Sequence, residues 1–331
     1  MVPAPLSLSM ILTASGTPLR ASESPIPSPG PGEALVEQQV VGVNFVDLYH
    51  WHGLYPLPPL PVPLGVEAAG IVRAVGAGGE DLRPGDRVAY ALPVGAYTHW
   101  RCVPAARLVP VPEFMPLEQA AAGLLKGLTA HMLFSAVRLV APGETVLIHA
   151  AGGGLGQILV GWAKRRGAVV IGTAGSPDKA AKATRAGADH VILYRDEDFV
   201  AAVRAATGGQ GVAFAIDGVG GKTLARTLDC VHPFGAVASI GQAEGPIPPV
   251  DVGDLGPKRS LALWRPSVFG YAADTARYRG AAAAVLKELA GAPVDIGATY
   301  PLAEAQAALT ALEAGRTAGS VLLRPGEGAH P

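Results

Sequence analysis

The chain has 331 residues, 49% of them apolar and 16% charged, with a formal net charge of -1. That length allows two domains with a substantial core in each. The composition excludes a disordered chain, and the near-zero charge gives no electrostatic reason to bind nucleic acid or an anionic membrane. With only two cysteines, Cys102 and Cys230, there is no disulfide framework and no paired-cysteine metal knuckle, and both read as small buried hydrophobes.

The apolar N-terminus meets no basic residue before Arg20, so it lacks the charged region of a signal peptide. No stretch reads as a membrane span; the nearest, 146–163, carries His149, Gln157 and five glycines. A soluble, cytoplasmic protein is expected, with residues 1–9 as a loose tail. The first third then reads as β structure. Segments 34–43, 69–76, 86–91 and 96–103 are short, rich in Val, Ile and aromatics, and broken by Gly or Pro. Residues 83–88 form a Pro-Gly turn into a strand, and 55–65, with five prolines, must run extended over a surface. An irregular, mainly antiparallel β domain is expected.

From about residue 127 the rhythm changes. "ETVLIHA" (144–150) is a buried strand, and Leu155, Ile158, Leu159 and Trp162 then form a helical stripe. A second strand, 168–173, leads to a helix over 176–187 with Ser176 as cap, Pro177 at its first position and Gly187 as stop. Strand and helix alternate to about residue 264, which predicts a doubly wound parallel sheet. After it come two helices, 275–291 and 302–315, and a last strand, 319–325, forming either a third piece or a return to the first domain.

Between the first strand and helix of that sheet lies "HAAGGGLG" (149–156). In a strand–turn–helix setting this is the dinucleotide fingerprint, here with Ala151, Gly153 and Gly156 at the three positions and Ala in place of the first glycine. Gly153 lets the backbone approach a pyrophosphate, Gly156 lets helix and strand pack closely, and the helix N-terminus faces the phosphate charge. An NAD site usually has an acid at the end of the second strand. Here 172–176 reads Gly-Thr-Ala-Gly-Ser, and the first acid, Asp178, is already inside the next helix. Lys179, with Tyr194 and Arg195 after the third strand, lies close by, so the pattern suits the 2′-phosphate of NADPH. Lys182 and Arg185 read as a solvated helix face.

The stretches "GVNFVDLYHWHGLYP", "LGVEAAGIV", "LKGLTA", "HAAGGGLG", "SPDKAAKATRAGADHVILYRDEDF" and "GSVLLRP" resemble the quinone oxidoreductases (zeta-crystallin-like) of the medium-chain dehydrogenase/reductase superfamily, in order from about Met10 to Pro325. The resemblance implies an α/β fold in which a doubly wound Rossmann sheet (127–265) joins a GroES-like, mainly antiparallel β domain (1–126) completed by a return segment (266–331). It implies an NADPH-dependent reduction of quinones in the cleft between these domains, by a homodimer. Carried over by motif, Asn44, Tyr49 and Tyr55 line the nicotinamide and quinone pocket as catalytic residues. Asn44, Thr129, Gly153, Gly154, Leu155, Gly175, Ser176, Lys179, Tyr194, Val219, Ile240, Gly241, Gln242 and Arg316 contact the cofactor. No metal is implied, because Asn44 and Val66 stand where the zinc-dependent relatives have Cys and His, and the four-cysteine lobe is absent.

Two positions depart from the family pattern: Gln242 replaces a commoner Asn, and "HWH" (50–52) alters the pocket mouth. On a strand the two histidines would point the same way, yet no third metal ligand lies near them in sequence. Glu67 reads as structural, pairing with a cation or with backbone donors across the domain interface. Tyr55 is a proton-donor candidate or a wall on which a ring stacks. Reduction of the C=C bond of an enone or enoyl substrate is the alternative reaction. A non-catalytic NADPH-binding or RNA-associated role is opposed by the neutral charge.

Overall fold

The computed structural model describes residues 5–79, 81–257 and 259–326. The chain divides into two compact units, Met1–Leu125 with Ala273–Pro331, and Lys126–Ala272.

The first unit opens with β1 (Leu6–Leu12), β2 (Arg20–Pro25) and β3 (Glu33–Val43), followed by helix α1 (Phe45–Trp51). It continues with β4 (Val62–Pro63), β5 (Glu67–Val75), β6 (Arg87–Ala91), β7 (Trp100–Pro104), β8 (Val109–Pro110) and helix α2 (Leu117–Met132), within which the chain leaves the unit. The expected loose tail is overturned from Leu6 onward. Once past Pro5 the alternating Leu6, Leu8 and Met10 pair antiparallel with β2, in register from Leu6↔Pro25 to Ile11↔Arg20, and Leu12 pairs with Val62 of the later strand β4. Residues 1–4 of that tail lie outside the described residues. The strand expected over 96–103 begins only at Trp100, because the Ala96 and Thr98 carbonyls accept from the buried amide of Gln38.

The second unit alternates β9 (Thr145–Ile148), α3 (Gly154–Arg165), β10 (Val169–Ala174), α4 (Pro177–Arg185), β11 (His190–Leu193), α5 (Phe199–Ala206), β12 (Val212–Asp217), α6 (Thr223–Leu228) and β13 (Val231–Ser239). Short α7 (Val252–Leu255), edge strand β14 (Ala262–Trp264) and α8 (Val268–Tyr271) complete it. The six strands are all parallel, in the order β11-β10-β9-β12-β13-β14. This is the doubly wound Rossmann order, with β9 at the point where the winding reverses. Every residue of β12 is buried, as expected of a strand covered on both faces. Leu147, Ile171, Phe214, Ala215 and Val237 lie deep in this core.

The chain then returns to the first unit as α9 (Thr275–Gly291), β15 (Ile296–Pro301), α10 (Ala305–Glu313) and β16 (Ser320–Arg324). β16 is antiparallel to β3 and parallel to β15, in a seven-stranded sheet ordered β15-β16-β3-β5-β6-β8 with β7 also on β3. The return is anchored by Tyr278, whose hydroxyl accepts from the Ala91 amide (3.1 Å) and donates to the Arg107 carbonyl (2.8 Å). Among the described residues one helix, Leu117–Val137, is long and apolar enough to cross a membrane, and most of it is buried inside the protein. It displaces 146–163, which folds as a strand, a turn and a separate helix.

Candidate functional site

In the second unit the turns leaving the strand C-termini converge. Gly153 caps α3 in extended conformation (φ -79°, ψ 170°), placing Gly153, Gly154 and Leu155 half-buried at the helix N-terminus. Before it, Ala150 holds a left-handed φ of 51°, a strained value for a residue with a Cβ. Gly156 is needed for close packing, since a Cβ there would sit 2.2 Å from the Ala150 carbonyl oxygen. Gly152, which the sequence left without a role, is equally tight: its Cβ would lie 2.1 Å from the carbonyl oxygen of Lys179. The glycine turn and the first turn of α4 are thus in backbone contact, which brings Lys179 beside the fingerprint.

Ser176 caps α4 through the Lys179 amide, and Pro177 occupies its first turn. The Tyr194 hydroxyl covers Gly175, where a Cβ would meet it at 2.7 Å. Burial holds the Lys179 ammonium below the usual lysine range, and the Arg195 charge beside it acts in the same direction. Gly175, Ser176, Lys179, Tyr194 and Arg195 therefore form one rim, with two cations and no acid from Gly172 to Lys179 other than exposed Asp178. Arg195, absent from the residues that the resemblance assigns to the cofactor, joins this rim; its signal in the sequence is its place next to Tyr194.

On the other side of β9, the turn after β12 packs on the turn after β13. A Cβ on Gly220 would meet Gln242 Cα at 2.6 Å, and one on Gly241 would meet the Gly218 carbonyl oxygen at 2.6 Å. Val219, Ile240, Gly241 and Gln242 are thereby brought together. Thr129 is half-buried on α2 in the same unit, whereas Arg316 belongs to the first unit, exposed in the turn between α10 and β16.

In the first unit, Asn44 follows β3 and caps α1, its backbone N–H donating to Asp47 Oδ2 (2.8 Å). Its side-chain Nδ2 donates to Glu67 Oε2 (2.8 Å), while Glu67 Oε1 accepts from the Leu125 amide (2.6 Å). Tyr97 donates to Asp47 Oδ2 (3.0 Å), closing a buried network around Asn44. Glu67 thus holds a backbone donor and a side-chain amide donor of its own unit. Tyr49 and Tyr55 lie with ring centroids 5.1 Å apart, tilted by 50°.

The family model described as alcohol dehydrogenase GroES-like domain matches residues 30–113, and that described as zinc-binding dehydrogenase matches 154–290. Quinone oxidoreductase 1 of Escherichia coli is 41% identical over 312 residues, 93% of this chain and 95% of the relative. The chain belongs to the quinone oxidoreductase family. Within reach of that family, the 2-haloacrylate reductase of a Burkholderia species is 40% identical over 92% of this chain and 94% of its own. The crystal structure of the Escherichia coli quinone oxidoreductase complexed with NADPH superposes with a TM-score of 0.92 at 40% identity, covering 97% of this chain and all of that one.

Although one of the matching family models is named for zinc, the residues here do not fit that metal. Zinc needs three or four thiolate, imidazole or carboxylate donors. This quinone oxidoreductase relative presents an amide at Asn44, an aliphatic side chain at Val66, and a Glu67 carboxylate already accepting from two N–H groups. Among the described residues no group of three or more His, Cys, Asp or Glu could hold a metal ion. The "HWH" histidines do not converge either, because they end helix α1 instead of lying on a strand. His50 is buried, whereas His52 is exposed and pairs with Glu313 at 2.6 Å. The Asn44–Asp47 pair three residues apart was the sequence signal for this helix.

Burial lowers the His50 imidazole from 6.5 to about 4 and also lowers His131 and His149. His50 stays neutral in the fold down to about pH 4 but binds a proton near pH 6.5 when unfolded, so the unfolded state gains protons, and stability is lost, as pH falls below 6.5; the lowered proton affinities of His131 and His149 act in the same direction. The carboxylates held low by Arg partners, such as Glu144, contribute only as pH falls below their unfolded value of 4.5. Tm is therefore expected to decline between pH 6.5 and 4.5, and His50→Gln is expected to flatten part of that slope. A Tm constant over this range in calorimetry would contradict the neutral-histidine assignment.

Proposed function

We propose that this chain is an NADPH-dependent quinone reductase that works without a metal. The observation carrying the reading is the rim formed by Gly175, Ser176, Lys179, Tyr194 and Arg195 beside the glycine turn, a positive site lacking the carboxylate of an NAD enzyme. NADPH, when bound, supplies a hydride, and quinone reduction consumes one further proton. In this reading the amides at the start of α3, with Gly153 and Gly154, bind the pyrophosphate. Lys179, Tyr194 and Arg195 bind the 2′-phosphate, while Thr129, Leu155, Val219, Ile240, Gly241, Gln242 and Arg316 line the rest of the cofactor. Asn44 is held in one orientation by Glu67 and Asp47, and we assign it to the nicotinamide. Tyr49 and Tyr55 offer faces on which a flat quinone stacks. The first unit then serves as the substrate side and the second as the dinucleotide side.

The test is NADPH oxidation followed side by side with a 1,4-quinone and a 2-alkenal, before and after exhaustive dialysis against a strong chelator. Faster turnover with the quinone, unchanged by chelation, is expected. A second reading, reduction of conjugated C=C bonds, is favoured by the similarity to the 2-haloacrylate reductase. Rates about tenfold higher with the alkenal, a barrier difference of about 1.4 kcal/mol, would establish that alternative. Activity lost together with stoichiometric zinc would overturn the metal-free part.

A homodimer is part of the same proposal. Strand β14 is an open edge of the six-stranded sheet and carries Trp264, 45% exposed, with Phe234 85% exposed and bonded through its amide to the Ser260 carbonyl next to that strand. Exposed aromatics on an unpaired edge favour pairing with a second copy. Sedimentation is expected to give a dimer and Trp264→Lys a monomer; a monomeric wild type would exclude the arrangement.

A further inference from the structure

The second unit contains a buried hydrogen-bonded chain that the proposed chemistry does not use. His149, directly after β9, is 6% exposed and packs edge-on against Phe199, with ring centroids 5.1 Å apart. Its Nδ1 lies 3.0 Å from Thr173 Oγ1 at the end of β10, and its Nε2 3.0 Å from Thr227 Oγ1 on α6. Thr227 Oγ1 is 2.9 Å from Asp217 Oδ2 and 2.9 Å from the Thr223 carbonyl oxygen. Asp217 Oδ1, at the end of β12, accepts from the amides of Val219 (2.8 Å) and Gly220 (2.9 Å). At the other end, the Ala150 amide donates to Thr173 Oγ1 (3.3 Å) and the Ala151 amide to the Thr173 carbonyl (2.9 Å).

The donors and acceptors leave one direction for this chain. Asp217 and the Thr223 carbonyl are pure acceptors, and the Thr227 hydroxyl has one proton to give, which the carboxylate, as the stronger acceptor, takes. Thr227 Oγ1 must then accept from His149 Nε2–H. A neutral imidazole carrying its proton there accepts at Nδ1 from the Thr173 hydroxyl, which itself accepts from Ala150 N–H. Burial of the ring lowers its proton affinity and keeps it in that state, with Asp217 opposing.

We propose that His149 is a positioning residue for the dinucleotide, its imidazole joining the turn after β9 to the turn after β12 so that the amides of Ala150, Val219 and Gly220 keep one arrangement. The inference rests on the NADPH reading, since those turns carry Gly153, Gly154 and Val219. A ring that merely fills space would need neither hydroxyl. The linkage makes a break at one end readable at the other.

The experiment combines amide hydrogen exchange of the cofactor-free protein with steady-state kinetics of Thr227→Val, His149→Leu and His149→Gln. In Thr227→Val, exchange is expected to quicken at Val219 and Gly220 and also at Ala150, on the far side of the imidazole. KM for NADPH should rise about fivefold in Thr227→Val and His149→Leu, the effect of one neutral hydrogen bond, with kcat little changed. His149→Gln, whose amide offers one acceptor and one donor in place of the ring nitrogens, should recover most of the affinity. Exchange that quickens only from Asp217 to Thr223, or a wild-type KM in His149→Leu, overturns the proposal. A wild-type protein with no affinity for NADPH would instead overturn the cofactor reading on which it stands.

Discussion

Gly156→Ala is expected to weaken NADPH binding by roughly a hundredfold and to lower Tm. The added Cβ would lie 2.2 Å from the Ala150 carbonyl oxygen and 2.7 Å from Ala151 Cα, both backbone atoms that no rotamer change can move aside. The start of α3 must then separate from the end of β9, and overpacking of this kind costs about 1–3 kcal/mol, here at the upper end because backbone meets backbone. The same separation opens the turn whose amides face the phosphates. Gly153→Ala gives the complementary result. Its nearest neighbour, the Ala150 carbonyl oxygen, is 3.2 Å away, and its φ and ψ suit alanine, so Tm should barely move. Affinity should nevertheless fall, because a Cβ on Gly153 stands where the pyrophosphate approaches. An unchanged NADPH Kd for both variants in fluorescence titration would remove the glycine turn from the cofactor site.

Lys179→Ala is expected to weaken NADPH about tenfold and to leave NADH nearly untouched. A hydrogen bond to a charged partner contributes about 1.5–3 kcal/mol, and the half-exposed rim keeps Lys179 near the lower figure, close to one decade in affinity. The Lys179 backbone, which packs on Gly152, is unaffected by truncating the side chain, so the glycine turn should survive. Removing the ammonium also relieves its repulsion with Arg195, which stays to hold part of the 2′-phosphate charge. Equal losses for the two cofactors would make Lys179 a support of the fold and nothing more.

The second unit was the more legible from the residues, because its elements are written in local patterns. The apolar stripe Leu155, Ile158, Leu159 and Trp162 and the Ser176-Pro177 start of α4 each announce themselves within one helix. What stayed hidden there is contact between turns: nothing in "HAAGGGLG" says that Gly152 meets Lys179 or that His149 reaches Thr227. The first unit was harder, since its elements are decided at long range. Trp100 rather than Ala96 begins β7 because Gln38 takes the intervening carbonyls. Helix α2 shows no polar face from Ala120 to Leu125, so periodicity could not reveal it. The return of β16 onto β3 joins residues nearly the whole chain apart, and only the family resemblance anticipated it. The "HWH" segment read as a strand because its helix is short and its cap is the residue expected at the site, Asn44.

The rim around Lys179 is tested most directly by the ratio of kcat/KM for NADPH over NADH with a 1,4-quinone as acceptor. A wild-type ratio of at least about ten is expected, collapsing toward one in Lys179→Ala, since the 2′-phosphate is all that distinguishes the two cofactors. A wild-type enzyme that uses NADH equally well or better would contradict the assignment of this rim to the 2′-phosphate.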